Sequence, residues 1–202
     1  MRFRVSWLEQ FRQWMEDEEA DEADLIASLT DQREPSPAML AGTAFHLALE
    51  RAEHGDFDAM AVDGYAFDFE GEFAIELPPV RELRASRTWV VDGEPIVISG
   101  QLDAIHGRIV YDHKTTSRFD PDRYMTGFQW RLYLAIFGAD VFRWNVFEWT
   151  EVEDEQVRRF RIKNVHLLEQ TRYPELELDC EALVTDFARY IRGHEALLKK
   201  AA

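Results

Sequence analysis

The fifteen residues from Gly100 to Lys114 hold the side chains in this chain with the clearest chemical potential. β-Branched and aromatic residues flank a Gly107-Arg108 turn, so the segment is predicted to form a β-hairpin. In that register Asp103 lies opposite Asp112, and the two-residue period of a strand puts Lys114 on the same face as Asp112. Two facing carboxylates repel each other unless a cation separates them, and a hard divalent metal with oxygen ligands meets that need. The hairpin therefore predicts a metal site with a lysine beside it.

This layout resembles the core of the PD-(D/E)XK nuclease superfamily, in which a metal-binding aspartate on one strand precedes Asp/Glu-x-Lys on the next. Asp112-His113-Lys114 matches the second element, and Gly100-Gln101-Leu102-Asp103 matches the first, with Leu102 where a proline often stands. Three further segments resemble the RecB-like and lambda-exonuclease-like branch: Gly42–Glu50 around His46, Thr115-Thr116 after the lysine, and Gln129-x-x-x-Tyr133. Together these motifs extend from residue 42 to residue 133, about half the chain.

The resemblance implies a metal centre made from two strands and a helix. Asp103, Asp112, His46 and the main-chain carbonyl of His113 would hold Mg²⁺ or Mn²⁺, while the His113 side chain points to the other face of its strand. Each side chain also has a structural reading. His46 could be a core or capping histidine, Asp103 an acid at a strand end, and Asp112 an ion-pair partner of Lys114.

The resemblance also implies roles for four residues around the scissile phosphate. Lys114 would position or deprotonate the attacking water, and Gln129 and Tyr133 would hold the lysine or a phosphate. Gln129 and Tyr133 are one helical turn apart, although Tyr133 could simply pack in the core. Glu82 would assist a second metal or the nucleophilic water, as in lambda-type exonucleases.

The function that follows from the resemblance is divalent-metal-dependent hydrolysis of DNA phosphodiester bonds. An exonuclease of recombination or repair is the first interpretation, and a phage gene is one source that fits it. The alternatives are a structure-specific endonuclease and a non-catalytic DNA-binding subunit of a recombination or CRISPR-type assembly. A recombination or helicase protein is therefore a candidate partner besides DNA.

Composition agrees with one intracellular domain. The 202 residues allow a substantial core, and no apolar run approaches the ~20 residues that a membrane-crossing helix needs. No secretory signal is visible, so a cytoplasmic location is expected. The single cysteine, Cys180, excludes an internal disulfide and also the four-cysteine iron–sulfur cluster of some relatives in this branch.

The net charge of −16 is unusual for a protein that binds nucleic acid, because Lys and Arg supply phosphate affinity. Sixteen of the 39 acids lie in the windows 16–24, 68–76 and 148–155, which contain no Lys or Arg. These windows are interpreted as solvated faces, or alternatively as DNA mimics or contacts for a basic partner. The remaining chain is neutral and has basic clusters that could bind phosphates: Arg84/Arg87, Arg118/Arg123/Arg131 and Arg158/Arg159/Arg161/Lys163.

Apolar periodicity and turn residues predict one α/β domain over residues 1–202, with a central mixed β-sheet flanked by helices, as in a restriction-endonuclease-like core. Helices are predicted at 6–18, 36–55, 120–138 and 174–200. Strands are predicted at 83–91, 95–105, 108–114, 141–149 and 156–165, together with a hairpin of 62–69 and 72–77 about Gly71.

Overall fold

The computed structural model describes residues 1–32, 34–52, 57, 60–194, 197 and 199. In chain order the first elements are β1 (Arg2–Arg4), α1 (Val5–Glu16), α2 (Glu22–Leu29), α3 (Pro37–Arg51), β2 (Met60–Val62), β3 (Tyr65–Phe69), β4 (Val80–Arg81) and β5 (Arg84–Val91). They are followed by β6 (Glu94–Gln101), β7 (Ala104–His106), β8 (Ile109–Thr116), α4 (Pro121–Met125), α5 (Gln129–Phe137), β9 (Val141–Val152), β10 (Arg158–Thr171) and α6 (Leu176–Arg192).

The strands form two sheets. Seven of them make a mixed sheet in the order β2-β3-β10-β9-β8-β7-β4, in which β8 runs parallel to β9 and β10 parallel to β3. The other three make a small sheet in the order β1-β6-β5. The predicted fold class, an α/β domain with a mixed sheet flanked by helices, is confirmed. No helix in the described part of the chain has the length and apolar character to cross a membrane.

Strand β8 lies between two hydrophobic cores. One core joins the small sheet and helices α1, α5 and α6 to one face of the large sheet, and it includes Val110 of β8. The other core lies under α3 and includes Phe45, Phe67 and Phe147. The His113 ring lies 6.1 Å from the ring of Phe147, on the side of this second core. The residues of β8 are therefore packed against a hydrophobic core on each face.

The predicted strand 95–105 is broken, and this changes the position of Asp103. β6 ends at Gln101 in the small sheet, and β7 begins at Ala104 in the large sheet. Between them Leu102 is buried, and its N–H donates to the carbonyl of Leu83 at 3.1 Å. Burial of Leu102 in the first core thus turns the chain from one sheet to the other, and Asp103 lies at the junction.

The predicted helix 120–138 is also broken. α4 ends at Met125, and α5 begins at Gln129 and ends at Phe137, followed by Gly138, whose φ of 62° is left-handed. Glu9 of α1 separates the two helices, because its carboxylate accepts the N–H groups of Phe128 at 2.7 Å and Gln129 at 2.8 Å. A carboxylate at this position neutralises the free donors of a new helix N-terminus. Gln129 is consequently the first residue of α5.

The hairpin predicted about Gly71 is wrong. β3 pairs instead with β2 about Asp63-Gly64, where both residues have positive φ, and with β10 on its other edge. Residues 72–77 form no strand. Asp63-Gly64 has the left-handed conformation that a two-residue hairpin turn requires, so it makes the tighter connection.

Several predicted boundaries differ from the observed ones. α2 was not predicted; Asp21 caps it by accepting the N–H of Ala23 at 2.8 Å, and Glu22 and Asp24 lie in its first turn, where acids are favoured. Ser36 caps α3 as predicted, but the predicted end near Gly55 lies outside the described residues. Strands β9 and β10 are longer than predicted, and α6 begins at Leu176 and ends at Arg192.

Candidate active site

The β7–β8 hairpin has the predicted register. Ala104 pairs with Tyr111 and His106 with Ile109 about a turn in which Gly107 has a φ of 59°. The ladder stops at Ala104, so Asp103 is not a strand residue opposite Asp112. Its carboxylate instead accepts the main-chain N–H of His113 at 2.6 Å. Asp103 therefore reaches β8 through its side chain.

Asp112 and Lys114 form a close pair on one face of β8. The Lys114 ammonium donates to Asp112 Oδ1 at 2.9 Å, and the Asp112 side chain is only 9% exposed. Asp112 Oδ2 is buried and has no hydrogen-bond partner among the described residues. Burial lowers the pKa of Lys114, but the charges of Asp112 and Asp103 outweigh it and raise this pKa overall. A buried carboxylate oxygen without a partner is costly, so this oxygen is suited to accept a positively charged ligand.

Helix α3 brings His46 to the same place. His46 Nδ1 lies 3.6 Å from Asp103 Oδ1, and burial followed by the charge of Lys114 lowers the pKa of His46. The C-terminal end of α3 is tied down by Arg81, which donates to the carbonyls of Leu49 at 3.2 Å and Glu50 at 2.8 Å. Burial thus favours the neutral form of the His46 imidazole, the form that can bind a metal, and the helix that carries it is anchored.

The carboxylates are close enough to affect each other's ionisation. Burial, and then the negative charge of Asp112, raises the pKa of Asp103 to about 7. Glu82 contributes in the same direction. Like charges raise a carboxyl pKa when no cation offsets them, and a bound divalent ion would remove that repulsion.

Glu82 lies beside the cluster, at the junction between β4 and β5. Its φ of 53° is left-handed, which is uncommon for a residue with a side chain. Its N–H donates to the Asp103 carbonyl at 3.1 Å, and its carboxylate accepts the side-chain amide of Gln101. The unusual backbone conformation thus directs Glu82 towards Asp103. Gln101 was not predicted as a site residue, although its position inside Gly-x-x-Asp was a signal for it.

Helix α5 supplies Gln129 and Tyr133. The Tyr133 hydroxyl donates to the Gln101 carbonyl at 2.7 Å and is hydrogen-bonded to the Gln129 side chain. Burial, and then the charge of Asp112, raises the pKa of Tyr133 to about 12. The charges of Lys114 and Asp112 also affect the pKa of Tyr124 in α4, which burial raises. No sequence pattern predicts Tyr124 as a site residue.

The His113 ring belongs to the opposite face of β8. Burial lowers its pKa to about 3, and its Nδ1 lies 3.2 Å from the amide nitrogen of buried Asn145. The His113 carbonyl is different, because it is hydrogen-bonded to the His46 side chain. The main chain of His113 is therefore part of the site.

The donor set of the site fits a divalent cation. Within residues 1–32, 34–52 and 60–194, no three His, Cys, Asp or Glu side chains form a ready-made ligand group. The Asp112 carboxylate is instead hydrogen-bonded to Lys114, and the Asp103 carboxylate is hydrogen-bonded to the main-chain N–H of His113. Even so, Asp103, Asp112, His46 and the His113 carbonyl offer oxygen and imidazole donors, and no described residue satisfies Asp112 Oδ2. These are the residues that could hold Mg²⁺ or Mn²⁺.

The basic cluster at residues 158–163 does not form the phosphate-binding patch that was predicted. Arg158 pairs with Glu151 at 2.8 Å, Arg159 with both Asp68 and Asp154 at 2.8 Å, and Arg161 with Glu70 at 3.5 Å. The acids come from the windows 68–76 and 148–155. Pairing of β10 with β3 and β9 brings these opposite charges together, so this face is largely neutral.

Comparison with known proteins supports the fold but finds no sequence relative. No family model matches the chain, and no curated protein matches its sequence. The crystal structure of SSO0001 has a TM-score of 0.53 at 19% identity, covering 93% of this chain and 73% of its own length. An alkaline exonuclease, LHK-Exo from Laribacter hongkongensis, has a TM-score of 0.54 at 14% identity, covering 98% of this chain and 92% of its own. At these identities the likeness concerns the fold, and the chain has a nuclease-like α/β fold.

Proposed function

We propose that this protein is a divalent-metal-dependent deoxyribonuclease of the PD-(D/E)XK type, acting as an exonuclease. The observation that carries the proposal is the junction of Asp103, Asp112, Lys114 and His46, where one buried carboxylate oxygen has no partner among the described residues. The fold shared with an alkaline exonuclease supports it.

The metal would be held by Asp103, Asp112, His46 and the His113 carbonyl. When bound, Mg²⁺ or Mn²⁺ supplies Lewis-acid stabilisation of the charge that develops on the scissile phosphate. The two carboxylates would turn towards the cation, and this would release Lys114 from Asp112 Oδ1. The lowered pKa of His46 would favour the deprotonated imidazole that a metal needs.

Lys114 would then act on the reacting groups. Its side chain is 35% exposed, so after its release from Asp112 it could reach a bound substrate. It would orient the attacking water and donate to a phosphate oxygen as negative charge grows there. Tyr133 and Gln129 would position Lys114 or a phosphate from the adjacent helix, and Glu82 would orient the water on the side of Asp103.

The proposal is tested by incubating purified protein with linear, nicked and closed circular DNA in Mg²⁺, Mn²⁺ or EDTA. We expect metal-dependent loss of the linear substrate from its ends, resistance of closed circles, and no cleavage by an Asp112→Asn variant that folds normally. Linearisation of circles would indicate the endonuclease alternative. Binding of DNA without cleavage in any metal would contradict the proposal and favour a non-catalytic subunit.

A further inference from the structure

The outer face of the small sheet is the feature that the proposed active site does not use. In one row across the sheet Arg2 pairs with Val97, which pairs with Thr88. In the next row Arg4 pairs with Ser99, which pairs with Ser86. Paired residues in neighbouring strands project to the same side of a sheet. Alternate residues such as Phe3, Ile98 and Trp89 are buried, so the first set forms the outer face.

This face is basic and carries no acid. By strand alternation it consists of ten residues: Arg2, Arg4, Arg84, Ser86, Thr88, Val90, Pro95, Val97, Ser99 and Gln101. Three are arginines and none is Asp or Glu, in a chain with 39 acids and a net charge of −16. Three hydroxyl side chains lie between the arginines. Arginine and hydroxyl groups together are the donors that contact DNA phosphates most often.

The arginines of this face are available, unlike Arg158, Arg159 and Arg161 of the 158–163 cluster, which are paired with acids. Among the described residues, no carboxylate oxygen lies within 4 Å of Arg2, Arg4 or Arg84, and Arg84 bonds only the neutral amide oxygen of Gln101, at 2.7 Å. Arg87, which projects from β5 to the buried side, pairs with Glu177 at 2.5 Å. An arginine that is not already neutralised can pair with a phosphate without first losing an ion pair.

The face is continuous with the proposed active site. A cleft of about 470 Å³ is lined by Arg4, Arg84 and Gln101 of this face and by Tyr133. The Gln101 carbonyl accepts the Tyr133 hydroxyl, and the Gln101 amide donates to Glu82. The cleft therefore connects Arg84 and Arg4 with residues of the proposed site.

We infer that the outer face of the small sheet, defined by the ten residues above, binds the sugar–phosphate backbone of the DNA substrate beyond the scissile bond. This inference rests on the proposed function for the identity of its ligand. It assigns DNA affinity to a small unpaired basic surface, and it explains how a strongly acidic chain can bind a polyanion.

The test measures DNA binding directly, by fluorescence anisotropy of a labelled linear duplex in EDTA over a series of salt concentrations. The variant R2Q/R4Q/R84Q removes the three arginines of the face. The matched control R108Q/R189Q/R192Q removes the same charge from arginines that are paired with Asp140 and Asp92. We expect the first variant to weaken binding by about tenfold or more and to reduce the slope of log K against log salt by about 2 to 3, with little change in the control.

A gain-of-binding variant guards against misfolding of the triple variant. Thr88→Lys adds one charge to the face at an exposed position and should steepen the salt slope by about 1. Equal weakening in R2Q/R4Q/R84Q and its control would reduce the effect to net charge and overturn the inference, and so would unchanged binding in both. Cleavage separates the two proposals. A wild-type protein that binds DNA through this face but never cleaves it would refute the nuclease alone, whereas wild-type cleavage with normal binding by the triple variant would refute the face alone.

Discussion

Replacing Lys114 with methionine tests whether, in the metal-free protein, the lysine ammonium stabilises Asp112 in place of the metal ion. Methionine keeps most of the side-chain volume and removes the charge 2.9 Å from Asp112 Oδ1. Asp112, with a side chain 9% exposed, would then have neither of its oxygens bonded to a cation. We therefore expect the metal-free variant to be less stable than the wild type.

The expected loss follows from the burial of the pair. Removing one member of a fully buried ion pair costs about 3–5 kcal/mol. Because 35% of the Lys114 side chain is exposed, water screens part of the interaction, and we expect a loss of about 2–3 kcal/mol. Mn²⁺ at a hundred times its Kd should stabilise the wild type by about 2.7 kcal/mol. At the same Mn²⁺ concentration the Lys114→Met variant should be stabilised by more than the wild type, because no lysine competes with the metal for Asp112.

The assay is urea unfolding followed by tryptophan fluorescence, in EDTA and in Mn²⁺. The double variant Asp112→Asn/Lys114→Met is the matched control, since it removes both charges and should recover part of the stability in EDTA while losing most of the response to Mn²⁺. A Lys114→Met protein as stable as the wild type in EDTA would refute the reasoning. Equal stabilisation of all three proteins by Mn²⁺ would place the metal elsewhere.

Three further predictions concern the residues that shape the site. In Gly100→Ala the new Cβ would lie 3.0 Å from Tyr133 Cε1, so we expect the free energy of unfolding in urea to fall by about 1–3 kcal/mol and cleavage to slow. The control Gly71→Ala, whose Cβ would have no contact closer than 3.9 Å, should change neither. A Gly100→Ala protein with unchanged stability and activity would contradict this close approach. His46→Ala should weaken Mn²⁺ binding, measured by calorimetry, by about 10–100-fold. Unchanged Mn²⁺ affinity would show that His46 is not a metal ligand. Glu9→Gln should lose about 0.5–2 kcal/mol by weakening the cap of α5, and normal stability would show that the cap is dispensable.

Features set by local chemistry were predictable from the sequence. The hairpin register followed from the turn at Gly107, which takes the left-handed conformation that the turn needs. The cap of α3 followed from Ser36-Pro37, because a serine before a first-turn proline is a strong helix start. Such signals depend on neighbours in sequence and need no knowledge of the tertiary structure.

Features set by distant residues were not predictable. The start of α5 depends on Glu9, which is 119 residues from Phe128 in sequence. The displacement of Asp103 from its strand depends on the burial of Leu102 in a core shared with another sheet. The neutralisation of Arg159 depends on Asp68, which β-sheet pairing brings close. The positions of these residues in strands and helices were therefore harder to predict from the sequence than their proximity to one another.

Anomalous diffraction from crystals grown with Mn²⁺ would test the central claim most directly. We expect one strong peak at the junction of the two sheets, about 2.0–2.6 Å from carboxylate oxygens of both Asp103 and Asp112. Lys114 would then have moved away from Asp112 Oδ1. A peak remote from these carboxylates, or no peak while Lys114 stays bonded to Asp112 at saturating Mn²⁺, would contradict it.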